Sequence, residues 1–88
     1  TNPGPVDGKT IPIRSIRDTA AGPLLDWPTV RGKIYVVEYS SDQGKTWDSA
    51  VHRLTGGSTR LLWIDRGQPE TYYKPTSKKW RMYRVKEL

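Results

Sequence analysis

Without a cysteine, this chain cannot be stapled by disulfides, although 88 residues bury only a modest core and chains this small often need such help. Metal offers no substitute in the pattern, because there is one histidine, His52, and no cluster of His and acidic residues at metal-ligand spacing. Packing alone must therefore hold one small domain. Four Trp and five Tyr, with no Phe, assign that packing to large rings, each bringing an N–H or O–H that needs a partner. The absence of cysteine fits either redox compartment and leans any extracellular reading toward a bacterial origin.

The periodicity is that of strands. Tyr35, Val37 and Tyr39 alternate with Val36, Glu38 and Ser40 in a run rich in β-branched and aromatic residues. Leu25 and Trp27 share a face opposite Asp26, and Tyr83 and Val85 alternate with Arg84 and Lys86. Turn signals separate these runs at Ala21-Gly22-Pro23, Val30-Arg31-Gly32-Lys33, Thr55-Gly56-Gly57-Ser58 and Arg66-Gly67-Gln68-Pro69. Strands are expected near 10–16, 23–27, 33–40, 47–54, 59–65 and 80–87, an all-β pattern of a sandwich or small barrel. The Pro- and Gly-rich residues 1–9 read as a linker, with the domain over 10–88. A start at Thr1 with no signal-peptide pattern is expected of a piece cut from a longer precursor, and no apolar run is long enough to span a membrane.

The sharpest motif is Ser40-Ser41-Asp42-Gln43-Gly44-Lys45-Thr46-Trp47. A short carboxylate at Asp42 can accept bonds from the turn that follows, and Gly44 supplies the positive φ of a tight hairpin. Thr46 re-enters a strand, and Trp47 can fold back over the hairpin. The stretch resembles the Asp box, Ser-x-Asp-x-Gly-x-Thr-Trp, of sialidase propeller blades, where it is structural and repeated. Here it occurs once, and 88 residues supply only about two four-stranded blades, so a sialidase is set aside.

A wider resemblance runs through Leu25-Asp26-Trp27-Pro28, Gly32 to Ser40, Ile64-Asp65 and Arg81-Met82-Tyr83-Arg84-Val85. These residues are similar to the fibronectin type III pattern of accessory domains on secreted bacterial proteins. The resemblance implies an immunoglobulin-like antiparallel β-sandwich of six to seven short strands, with Trp27, Tyr35 and Tyr83 as core rings. The family has a further strand after the Tyr-Arg-Val strand, so that strand is expected to be an edge, charged by Arg81, Arg84 and Lys86, or covered either by the Pro-rich start or by a neighbouring domain.

Catalysis has little to work with. There is no nucleophile elbow, phosphate-cradling loop or Cys nucleophile, and no catalytic residue, metal or cofactor is assigned. His52 reads as a structural histidine. Asp65 and Glu70 are a conceivable carboxylate pair, but Asp65 before a Gly-Gln-Pro turn is more simply a turn cap. Trp63, with apolar neighbours on both faces, reads as core.

Binding has more. Net charge is +6, and from Thr71 to Lys86 there are six Lys or Arg and no acid. Within this segment Tyr72, Tyr73 and Trp80 are interleaved with Lys74, Lys78, Lys79 and Arg81, a pattern suited to stacking on sugars and attracting acidic groups. The plain alternative is a wet loop with its rings tucked under. Three functions are carried forward. The first is a secreted, non-catalytic module for spacing, docking or attachment beside a neighbouring domain. The second is a binder of acidic polysaccharide. The third, a barrel for single-stranded nucleic acid, is supported only by charge and rings.

Overall fold

The computed structural model describes residues 4–67, 70–71 and 81–88. Among these, the chain is all-β with no helix. Eight strands follow in order: β1 (Lys9–Ile11), β2 (Ser15–Thr19), β3 (Gly22–Pro28), β4 (Ile34–Ser40), β5 (Asp48–Ser49), β6 (Leu54–Thr55), β7 (Arg60–Ile64) and β8 (Met82–Glu87). They form two antiparallel sheets, one ordered β1-β8-β4-β5 with β6 also on β4, the other β2-β3-β7.

The strand count exceeds the expected six to seven because two expected strands are each divided. Pro12 divides the first, since it has no N–H to continue a ladder. Ile11 pairs with Val85 in one sheet. Three residues later the Arg14 N–H donates to the Asp26 carbonyl of the other, at 2.7 Å. The expected strand 47–54 is divided by a length mismatch. Ser49 lies opposite Glu38 and Leu54 opposite Tyr35, so five steps on one side face three on β4, leaving two residues over. The chain accommodates them by looping outward over 51–53, where Glu70 receives it: the Val51 N–H donates to the Glu70 carbonyl (2.9 Å) and the His52 N–H to its Oε2 (3.2 Å).

Between the sheets lies one apolar core of Leu25, Trp27, Tyr35, Val37, Ala50 and Val85. Ile11, Ile13, Leu54, Leu61, Trp63 and Tyr83 are packed against it, so odd-numbered positions of β3, β4, β7 and β8 face inward. Trp27 is fully buried, yet its Nε1 has no hydrogen-bond partner among the described residues, an exception to the rule that buried rings satisfy their polar atoms.

The edge of β8 is taken over Val85–Glu87 by β1, which comes from the start of the chain. The segment before it is also held: the Val6 N–H donates to Glu38 Oε2 (2.7 Å) and the Ser49 hydroxyl to the Gly4 carbonyl (2.6 Å). A boundary at residue 10 thus falls inside β1. What composition reads as a linker is, from Gly4 onward, a strap across the outer face of the larger sheet.

The β2–β3 turn is closed by Thr19, whose Oγ1 accepts the N–H groups of Ala21 and Gly22, each at 3.2 Å. Gly22 has φ 136°, and a Cβ there would lie 2.0 Å from the Asp65 carbonyl oxygen. Gly22→Ala is therefore expected to cost more than about 2 kcal/mol, through strain and a forced backbone shift. Gly57→Ala, with nothing within 4 Å of the added methyl, is the matched control and should leave the urea midpoint nearly unchanged.

Candidate functional site

Of the seven residues that sequence marks as a binding surface, Tyr72, Tyr73, Lys74, Lys78, Lys79 and Trp80 lie outside the described residues. Arg81 is described, and it is not presented to a ligand. Its side chain is 1% exposed and its Nη1 lies 2.7 Å from Asp65 Oδ2, inside the protein. Position 81 shares the phase of Tyr83 and Val85, so the strand's alternation directs it inward with them. That phase is the signal the sequence carries for Arg81, and it runs against the charge it shares with the neighbouring lysines.

Asp65 is the centre of this cluster. Immediately after β7 and fully buried, it gathers four donors. Its Oδ1 accepts from the Gly67 N–H (2.9 Å) and the Thr71 hydroxyl (2.7 Å). Its Oδ2 accepts from Arg81 Nη1 and from the Tyr83 hydroxyl, at 2.6 Å. Arg81 Nη1 also reaches the Thr71 Oγ1 at 3.1 Å, and the guanidinium lies 4.7 Å from the centroid of the Tyr39 ring. The bond to Gly67 is the expected turn cap; the pairing with Arg81 and Tyr83 is additional. Burial, then the bond to Asp65 and its charge, push the Tyr83 hydroxyl well above the usual range for tyrosine. It acts here as a fixed donor.

The outer face of the larger sheet carries a second charged cluster. Glu38 is fully buried, and its two oxygens take Arg84 Nε and the Val6 N–H. Arg84 in turn lies 4.1 Å from the centroid of the Trp47 ring. Trp47 is folded back onto the hairpin, its Nε1 donating to the Gly44 carbonyl at 3.2 Å. Thus the strap, β4, β8 and the hairpin meet at one carboxylate.

Within that hairpin, Gln43 and Gly44 have φ 65° and 82°, the left-handed pair of a tight turn. The Ser40 hydroxyl donates to Asp42 Oδ1 (2.7 Å) and accepts the Gly44 N–H (2.8 Å). The Thr46 N–H donates to Asp42 Oδ1 at 2.9 Å and its hydroxyl to Oδ2. Asp42 is thereby held down to about 2, by the Thr46 hydroxyl first, then the Thr46 N–H and Ser40. Elsewhere, His52 is exposed and pairs with Glu70, whereas Asp65 bonds to Gly67, Thr71, Arg81 and Tyr83. Among the described residues, no group of three or more His, Asp or Glu is placed to hold a metal ion.

No protein family matches this chain, and neither a curated protein nor a solved structure does so.

Two outcomes are expected. Tyr83→Phe removes one donor to a buried carboxylate and should lower stability by about 1.5–3 kcal/mol in urea denaturation. For Asp42, the folded value lies below the ordinary 3.8, so its stabilising contribution is present above that pH and is lost as pH falls through about 2. The gap in midpoint between wild type and Asp42→Asn should accordingly be full at pH 6 and shrink toward pH 2.

Proposed function

We propose that this domain is a non-catalytic accessory module of an extracellular, bacterial-type protein, a fibronectin type III-like sandwich used for spacing, docking or attachment beside a larger functional domain. The observation that carries this reading is where the built charge goes. Asp65, Arg81, Glu38 and Arg84 bond to one another, to backbone groups and to neighbouring hydroxyls in ways that join strands. Asp42 serves one hairpin, in the manner of an Asp box. Such groups stiffen a fold by tying its strands together.

Topology supports the family reading. Grouping β2, β3 and β7 apart from β4 and β8 parallels the A, B, E and C, F strands of immunoglobulin-type sandwiches, and β1 occupies the place beside β8 where such folds set their last strand. Fold alone does not determine function. The strap adds a reason specific to this chain: residues 4–6 are fixed against Glu38 and Ser49, so whatever precedes them in a longer protein would leave the domain in a set direction.

Attachment to acidic polysaccharide is the second reading, favoured by the acid-free run of positive charge after Thr71. Isothermal titration against heparin, hyaluronate and single-stranded DNA at low and physiological salt decides among the three. The spacing and docking reading expects weak binding that disappears at physiological salt and does not discriminate among the polymers. Saturable, polymer-specific binding to a polysaccharide that survives physiological salt and falls at least tenfold on replacing Lys74, Lys78 and Lys79 with Ser would overturn it. The same result for DNA alone would establish the nucleic-acid reading.

A further inference from the structure

The edge of β7 that faces away from β3, unpaired among the described residues, and the apolar groove beside it are built from the same residues. The Asp65 N–H donates to the Pro23 carbonyl and the Thr29 N–H to the Thr59 carbonyl, both at 3.0 Å, while Trp63 stands opposite Leu25 and Leu61 opposite Trp27. Antiparallel ladders alternate, so the backbone groups of Leu61 and Trp63 point toward β3. Those of Arg60, Leu62 and Ile64 point the other way, and among the described residues β7 pairs with β3 alone. The side chains of Leu62 and Ile64 stand on the outer face of the sheet. With Leu24, which lies opposite Ile64, they wall an open groove of about 480 Å³ completed by Trp63, Arg66 and Glu70. Leu62 is 51% exposed.

We infer that this edge and groove form one docking site for an extended peptide segment with apolar residues at alternate positions and an acidic residue at the end that lies beside Ile64 and Arg66. The inference rests on the docking function proposed above and names a surface and partner class for it. A strand laid along β7 would bond to residues 60, 62 and 64, and its alternate side chains would enter the groove their own side chains border. Charge selects the occupant. Arg66 stands exposed at the groove, and register places Arg17 beside Leu24 on its far side. Arg60 is already held by Asp26 at 2.9 Å, and Glu70 by His52. A second copy would bring its own +6 charge and its own Arg66 to this edge, so an acidic partner fits better. The other edge of the same sheet, β2, is exposed along its whole length and carries both signs of charge at Arg17 and Asp18, so it offers an apolar strand less.

The test uses the whole 88-residue chain, labelled with ¹⁵N, and two synthetic peptides alternating Val and Thr, one with Glu at both ends and one with Lys. The Glu peptide is expected to shift the amide signals of Arg60, Leu62 and Ile64 most, and to bind at least tenfold more tightly than the Lys peptide at low salt. Leu62→Lys places a charge in the groove at an exposed position and should weaken binding at least tenfold with the melting temperature unchanged. Leu62→Pro deletes only an outward-pointing N–H and, where it folds, should do the same. Shifts centred on β2 or β8, or wild-type affinity in Leu62→Lys, would overturn the site while leaving the docking function to another surface. A concentration-dependent dimer in sedimentation that Leu62→Lys abolishes would overturn the acidic-peptide assignment in favour of a second copy. Polymer-specific polysaccharide binding with no response to either peptide would overturn this site and the docking function together.

Discussion

A carboxylate taken out of water costs several kcal/mol unless donors and a countercharge surround it, and Asp65 is fully buried with both. Its position explains why so much converges there. It follows β7 in one sheet, while Arg81 and Tyr83 come from β8 and its approach in the other, and Thr71 and Gly67 come from the connection between them. The same residue's N–H and carbonyl bring β3 so close that position 22 has no room for a side chain. In a chain with no disulfide, this polar clasp joins the two sheets at one end of the apolar core. It is also demanding: Arg81 Nε and Nη2 are buried without hydrogen-bond partners among the described residues, so the ion pair with Asp65 must offset their desolvation.

Glu38 plays the corresponding part on the outer face. One buried carboxylate fixes Arg84, and through it the Trp47 ring, while its second oxygen holds the strap at Val6. The outer face is thereby closed by the start of the chain, the hairpin and a cation–aromatic contact, in place of a second apolar layer. Among the described residues, the smaller sheet has no such cover over Leu24, Leu62 and Ile64, and this contrast leaves one outer face closed and the other with an apolar groove.

Much of the fold was legible from alternation. The phase of Tyr35, Val37 and Tyr39 and of Leu25 and Trp27 places these side chains in or against the core, and the turn residues of the Ser40–Trp47 hairpin suffice to foresee its bonding. Residues whose partners are remote in sequence were harder to foresee. Nothing local in Asp65 announces Arg81, sixteen positions on; the turn residues after it announce only the cap. Arg81 shares the charge of the neighbouring lysines but the inward phase of Tyr83 and Val85, and phase decides its place. The divisions at Pro12 and at 51–53 depend on which sheet each half joins and on the register along β4, and neither is written in a short window. The strap escaped for a similar reason: composition reports that Gly4-Pro5-Val6 resists regular structure, not that Glu38 waits for its N–H.

The clasp is tested most directly by a double-mutant cycle of Asp65→Asn and Arg81→Met, with unfolding followed in urea. If the pair joins the sheets, each single change leaves a buried partner uncompensated and the losses do not add. A coupling free energy above about 1.5 kcal/mol is the expected result. Losses that add to within about 0.5 kcal/mol would contradict a clasp built on this pair and would leave the apolar core alone to hold the two sheets together.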